Sequence, residues 1–362
     1  MSELASESSE PCSDEPVTQR MSELASESSE PAILRARELR VTLPGDLHAV
    51  DGVDLELRRG EILGVAGESG SGKTMTALTL FGLLPHGART SGSLEFAGQD
   101  VLRLAAKQQQ ALRGKRIAMV FQDPMTSLHP MLTVAKQVTE HLRVHTGLGR
   151  KAALARAAEL LEQVRIPDPT RTLKSYPHQF SGGMRQRVAI AIALACNPEL
   201  LVADEPTTAL DVTVQAGILR LLDRLRREEG LSIMLITHDL GVMSSLADRI
   251  AVMYAGRIVE TGTTAEVLGS PRHPYTRGLL AALPHPEAGD RPLTPIGGSP
   301  PAIDDRPPGC AFHPRCAFAV DSCAVDLPLL TAIGPGRSLA CPVDPLVGAG
   351  MTAAGRKGGV AE

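Results

Sequence analysis

The sequence contains no tryptophan, and aromatic residues fill only 2% of its 362 positions. A core must therefore be aliphatic, and a surface that stacks nucleic-acid bases on aromatic rings is not expected. Excess positive charge is also missing. The formal net charge is −4, which argues against a general nucleic-acid binder. Long apolar runs are absent: the best, Val188 to Cys196, falls well short of the roughly 18 residues a membrane span requires. The N-terminus is acidic and serine-rich rather than basic and then apolar, so no secretory signal is predicted. Together these absences predict a cytosolic chain whose membrane role runs through partners. What is present is ample apolar material, 43% of residues, and a length that predicts two domains plus tails.

Residues 1–31 carry a perfect internal repeat, Met1 to Pro11 and again Met21 to Pro31. Its acidic, serine-rich composition cannot bury a core and predicts disorder. Two copies do not make a solenoid. Either a duplicated segment or a start at Met21 accounts for it, and it is assigned no function.

The chain is organised around Gly67-Glu68-Ser69-Gly70-Ser71-Gly72-Lys73-Thr74. An apolar run, Ile62 to Ala66, precedes it, and a helix-like run from Met75 to Leu80 follows. Strand, glycine-rich turn and helix start are the context of a phosphate-binding loop. Glycines let backbone N–H groups converge on phosphate oxygens, and the helix N-terminus adds its dipole. Lys73 can reach the β- and γ-phosphates, and the Thr74 hydroxyl can ligate Mg²⁺.

From about residue 32, alternating patterns at Leu39–Val41 and Val53–Leu57 predict strands. Further strands are predicted at Ser93–Phe96 and Arg116–Phe121, the second delivering Gln122 at its end. Residues 133–179 are helical by period, with Leu154, Ala158, Leu161 and Val164 on one predicted face. Then Phe180-Ser181-Gly182-Gly183-Met184-Arg185 leads into an apolar helix. Ser181 is a suitable N-cap there. The segment reads either as a capped helix or as a second anion-binding helix end.

Leu200-Leu201-Val202-Ala203-Asp204-Glu205 decides between them. An apolar strand ends in two carboxylates, one suited to the Mg²⁺ shell (Asp204) and one to polarising an attacking water (Glu205). Ala209-Leu210-Asp211 precedes an amphipathic helix with Val214, Ile218, Leu221 and Leu225 in register, closed by Gly230. A last strand, Ser232–Thr237, delivers His238 to the same predicted sheet edge, where a γ-phosphate contact is the expectation.

Taken together, residues 32–270 resemble the ATP-binding subunit of ABC transporters. The resemblance runs through a Walker A motif at Gly67–Thr74, a Q-loop at Gln122 and a signature motif at Ser181–Arg185. A Walker B pair at Asp204-Glu205, a D-loop at Ala209–Asp211 and a switch histidine at His238 complete it. It implies an α/β P-loop core with an antiparallel β subdomain and a helical subdomain at about residues 123–180. The implied nucleotide-binding set is Gly67, Glu68, Ser69, Gly70, Ser71, Gly72, Lys73, Thr74 and Met75, joined by Ser181, Gly182 and Gly183. Thr74, Gln122 and Asp204 would surround Mg²⁺, and Glu205, His238 and Gln122 would serve catalysis. In that family two ATPase subunits pair head to tail, so each signature helix covers the partner's ATP. The signature has Met184 where the family often has glutamine, and the aromatic that usually stacks on adenine is missing. Between Val41 and Val50 only Leu43 or His48 could replace it.

The segment 271–345 is similar to the C-terminal extension of oligopeptide/dipeptide importer ATPases, a group that includes nickel importers. The similarity rests on His273-Pro274-Tyr275-Thr276-Arg277, Gly298-Ser299-Pro300-Pro301 and Pro308–Cys316. The group implies peptide import, with nickel or another small solute as the alternative cargo and a soluble DNA-repair or translation ATPase as a more distant one. It also implies a second ATPase subunit (a copy or a paralogue), two membrane permeases, an extracytoplasmic binding protein and a peripheral place on the cytoplasmic face of the membrane. Four of the six cysteines, Cys310, Cys316, Cys323 and Cys341, crowd this region, which makes it a small Cys-rich C-terminal domain followed by a disordered tail at 346–362. In a cytosolic chain such spacing suggests metal rather than disulfides. A [4Fe–4S] cluster is expected first, with zinc or reduced structural cysteines as alternatives. Cys12 and Cys196 are expected to be inert.

Overall fold

A computed structural model describes residues 32–123, 127–208, 210–283 and 295–343. The terminal repeat, the far C-terminal tail and Ala209 lie outside them.

Two sheets carry the chain. β1 (Ala32–Leu43), β2 (Leu47–Arg58), β4 (Arg89–Phe96) and β5 (Gln99–Asp100) form an antiparallel sheet in the order β2-β1-β4-β5. Between them in sequence run β3 (Ile62–Ala66) and α1 (Lys73–Phe81). A short helix, α2 (Ala106–Leu112), leads to β6 (Ile117–Val120). Three helices follow: α3 (Val134–Thr146), α4 (Arg150–Gln163) and α5 (Pro169–Lys174). The chain returns through α6 (Gly182–Ala193), β7 (Leu200–Asp204), α7 (Val212–Glu229), β8 (Ser232–Ile236), α8 (Leu240–Leu246), β9 (Arg249–Tyr254) and β10 (Arg257–Thr263). α9 (Thr264–Gly269), α10 (Pro274–Ala281), β11 (Thr331–Gly334) and β12 (Arg337–Leu339) complete the described elements.

The second sheet has the order β11-β12-β10-β9-β3-β8-β7-β6. Strands β9, β3, β8, β7 and β6 pair in parallel. β3, β7 and β8 are buried at every position, as a sheet covered on both faces requires. The period of two splits their side chains between two cores. Ile62, Leu201, Ala203, Ile233 and Leu235 face α4, α6 and α7, whereas Leu63, Val65, Leu200, Val202, Met234 and Ile236 face the antiparallel sheet and α1.

The stripe expected on α4 holds at Leu161 and Val164 and fails at Leu154. Ala153, Ala157, Leu160, Leu161 and Val164 are buried, whereas Leu154 is 37% exposed. Ala153 and Ala157, rather than Leu154, face the same core as Val134, Val138 and Leu142 of α3, and Ala158 packs half-buried against it. Periodicity located the helix but weighted the larger side chain.

The C-terminal residues are joined to the main sheet. β12 pairs with β10, matching Glu260 to Leu339. Glu260 is fully buried and accepts hydrogen bonds from the Arg272 and His273 N–H groups (both 2.9 Å) and from Arg337 (3.0 Å). His273 caps α10 by accepting from the Tyr275 N–H through Nδ1 (3.0 Å). Burial pushes its pKa down to about 3.

The sign of the resulting pH dependence is fixed. The unfolded ring takes a proton below about pH 6.5 and the folded ring does not, so the stability contribution is full above 6.5 and lost as pH falls toward 3. Urea denaturation is expected to show the wild type losing about 2 kcal/mol more than His273→Asn between pH 7.5 and 5. Equal losses in the two proteins would contradict this account of His273.

Candidate nucleotide site

Four adjacent parallel strands end on one edge, where ligands of open α/β sheets bind. β3 delivers the loop Gly67–Thr74, β8 delivers His238, β7 delivers Asp204 and Glu205, and β6 delivers Gln122. The turn geometry demands glycine. Gly67 has φ +149°, and a Cβ there would stand 2.2 Å from the Met253 carbonyl oxygen. Gly72, at φ +102°, would meet the Ala49 carbonyl at 2.6 Å.

Lys73 Nζ donates to the carbonyls of Gly67 (2.7 Å) and Glu68 (2.8 Å) and to Ser71 Oγ (3.2 Å). Burial lowers its pKa, partly offset by the carboxylates of Glu205, Asp204 and Glu68. The Thr74 hydroxyl donates to Asp204 Oδ2 at 2.9 Å. Burial raises the Asp204 pKa, against the Thr74 hydrogen bond, and the neighbouring Glu205 charge adds to the rise.

Glu205 gathers the other groups. Its Oε2 accepts from Gln122 Nε2 (2.7 Å) and the Thr208 hydroxyl (2.9 Å), and Oε1 pairs with His238 Nδ1 at 2.9 Å. Its backbone N–H donates to the Ile236 carbonyl of β8 (2.8 Å), and its φ of +46° is unusual for a non-glycine residue. Such strain at a strand end is a mark of functional positions. Burial opposes ionisation of Glu205, but hydrogen bonds from His238 and Thr208 and the His238 and Lys73 charges outweigh it, holding the pKa below the usual range. It is an ionised carboxylate at neutral pH.

A cavity of about 470 Å³ lies over the loop, lined by Ser69 to Met75, Gln122, Asp204 and Glu205 among others. Ser181, Gly182 and Gly183 do not line it. They open α6 elsewhere, where Ser181 Oγ accepts from the Met184 N–H at 3.4 Å and a Cβ on Gly183 would strike Val214.

Sequence reasoning missed the partners of Glu68. Its N–H donates to the Tyr275 hydroxyl (2.8 Å), and its carboxylate takes both arms of Arg315 (2.7 and 3.1 Å). Arg315 also donates to the Tyr254 hydroxyl and sits over the Phe312 ring. The only signal was Tyr275 and Arg315 standing within the quoted C-terminal motifs.

The residues at the loop fit Mg²⁺. Mg²⁺ keeps waters and takes phosphate oxygens, so one hydroxyl and one carboxylate, as at Thr74 and Asp204, suffice. A [4Fe–4S] cluster needs thiolates converging on it. Cys310 and Cys323 are brought together by a backbone hydrogen bond (2.8 Å), yet among the described residues no group of three or more His, Cys, Asp or Glu could hold a metal ion. Burial raises the Cys310 and Cys316 pKa values and pushes Cys341 up to about 11. Cys341 Sγ donates to the Val343 carbonyl (3.0 Å). The expected iron–sulfur or zinc site therefore finds no support among the described residues.

Fold and site define a P-loop ATPase, and the comparisons agree. The ABC transporter family matches residues 50–208, and the family described as "Oligopeptide/dipeptide transporter, C-terminal region" matches residues 259–323. The chain is 47% identical over 320 residues to the oligopeptide transport ATP-binding protein OppD of Salmonella typhimurium, covering 87% of this chain and 95% of that one. It is 48% identical over 299 residues to the dipeptide transport ATP-binding protein DppD of Escherichia coli, covering 82% and 91%. Among solved structures, cbiO1 of Clostridium perfringens, part of the ABC transporter complex cbiONQ, superposes with a TM-score of 0.59 at 28% identity, covering 67% of this chain and 92% of that one. The ATP-binding cassette MJ0796, solved as a dimer bound to ADP and Pi, gives 0.57 at 29% identity, covering 64% and 98%. The chain belongs to the ATP-binding subunits of ABC transporters, within the oligopeptide/dipeptide group. No described helix is long and apolar enough to cross a membrane.

Arg315 is nearly buried and Glu68 partly so. Arg315→Ala is therefore expected to cost about 2 kcal/mol in urea denaturation, less than a fully buried pair would. Thr74→Ala is expected to raise the Mg²⁺ concentration for half-maximal ATP hydrolysis by about tenfold, measured by titrating the metal at saturating ATP. An unchanged requirement would remove Thr74 from the metal site.

Proposed function

We propose that this chain hydrolyses ATP to drive peptide uptake across the cytoplasmic membrane, docked on that membrane's inner face. The observation that carries the reading is the carboxylate of Glu205, held ionised between Gln122, Thr208 and His238 beside a loop built for phosphate.

The mechanism follows from the placement. Lys73 exchanges its bonds to loop carbonyls for the β- and γ-phosphate oxygens, joined by the backbone N–H groups of Gly70 to Thr74. Thr74 and Asp204 would hold Mg²⁺, which would supply charge neutralisation for the phosphates. Glu205 accepts a hydrogen bond from the attacking water and orients it for in-line displacement. Its low pKa makes it a weak base, which suits a loose transition state in which little proton transfer precedes bond cleavage. His238, 62% exposed at its side chain, holds the γ-phosphate from the other side. Gln122 senses the same carboxylate and carries its state toward the inserted helices α3–α5.

A second ATPase chain, either a copy or a paralogue, supplies the lid. Ser181–Gly183 lie apart from the loop of their own chain, so their helix end serves the partner's nucleotide. Two permeases and an extracytoplasmic binding protein complete the importer, with peptides as cargo in line with the names of OppD and DppD.

Glu205→Gln keeps the shape and removes the negative charge. Turnover is expected to fall at least about 100-fold while ATP binding persists and the ATP-bound dimer accumulates, read by phosphate release and size-exclusion chromatography. Hydrolysis at the wild-type rate would refute the assignment.

A further inference from the structure

The nucleotide cavity has a lining that phosphate chemistry does not use. Leu43 and Ala49 contribute to it from β1 and β2, and so do Pro301, Ala302 and Ile303 from the C-terminal segment. His48, the other residue available to replace the missing aromatic, bonds through Nδ1 to the Thr42 hydroxyl (3.0 Å) and is not part of the lining.

The segment carrying Pro301–Ile303 is fastened across the loop. Arg315 grips Glu68 of the loop and at the same time donates to the Gly297 carbonyl (2.9 Å). Between these anchors the Asp305 N–H donates to the Ala302 carbonyl (3.2 Å), closing a turn. The Arg306 guanidinium lies against Gly256, whose own N–H donates to the Ser71 carbonyl (2.9 Å). The loop that holds phosphate and the segment that walls its cavity are thus one connected unit.

We propose that Pro301, Ala302 and Ile303 form a wall of the nucleobase seat, opposite or beside Leu43 and Ala49, in place of an aromatic platform. A purine presents flat, weakly polar faces, and aliphatic CH groups pack against them through dispersion and area burial. The C-terminal segment is then part of the ATP site rather than an appendage to it. This deepens the ATPase reading and rests on it.

The test uses the full-length chain and two ligands, ATP and inorganic tripolyphosphate, each with Mg²⁺, by isothermal titration calorimetry. Ile303 is partly exposed, so its replacement leaves the core untouched, and Ile303→Asn adds no charge. ATP Kd is expected to rise about tenfold, equivalent to about 1.4 kcal/mol, with tripolyphosphate Kd within about twofold of wild type. Ile303→Ala is expected to fall between. Unchanged ATP affinity, or equal weakening of both ligands, would overturn the wall. Lys73→Ala is expected to weaken both ligands together. If it weakens neither, the phosphate-loop reading itself fails, whatever Ile303 does.

Discussion

One carboxylate ties this site together. Glu205 receives Gln122 from the end of β6, Thr208 from the turn beyond β7 and His238 from the end of β8, while its backbone bonds β8 directly. Three stretches of chain therefore converge on a single pair of oxygens. The parallel order β3-β8-β7-β6 makes this possible, because it sets the four strand ends side by side. The positive φ at Glu205 is the local cost of turning the side chain out of a fully buried strand.

The adjacent acids do opposite things, and Asp204 is the more deeply buried of the two. Asp204 has a single hydroxyl donor and a neighbouring negative charge, so desolvation prevails and its pKa rises. Glu205 has a histidine and a hydroxyl, and desolvation is outweighed. Divergence between paired carboxylates is how one site separates a metal-shell role from a water-orienting role. Lys73, lowered by burial but surrounded by three carboxylates, balances both.

Most of this was legible because the parallel strands are short apolar runs ending in polar residues, and each motif sits at such an end. Ile62–Ala66 and Leu200–Ala203 needed no tertiary information to be placed. The α4 stripe was misread at Leu154, which outweighs alanine on any hydrophobicity count, whereas close helix packing favours Ala153 and Ala157. Arg315 and Tyr275 were invisible as partners of Glu68 because they lie more than 200 positions away, with no local pattern linking them. The cysteine spacing looked like a ligand set, but ligation depends on where sulfur atoms point, and the described residues form no metal-holding group. The terminal segment gained a meaning that composition did not hold, by crossing back over the loop that begins the site.

The central claim is that hydrogen bonding keeps Glu205 ionised against its burial. Infrared difference spectroscopy can read this as the carboxylate band that disappears when Glu205 is replaced by glutamine. Titrated from pH 8 downward, that band is expected to persist below the ordinary glutamate value of 4.5. Its loss between pH 7 and 5 would mean that burial prevails, and that the site holds a neutral acid where the account requires a charged one.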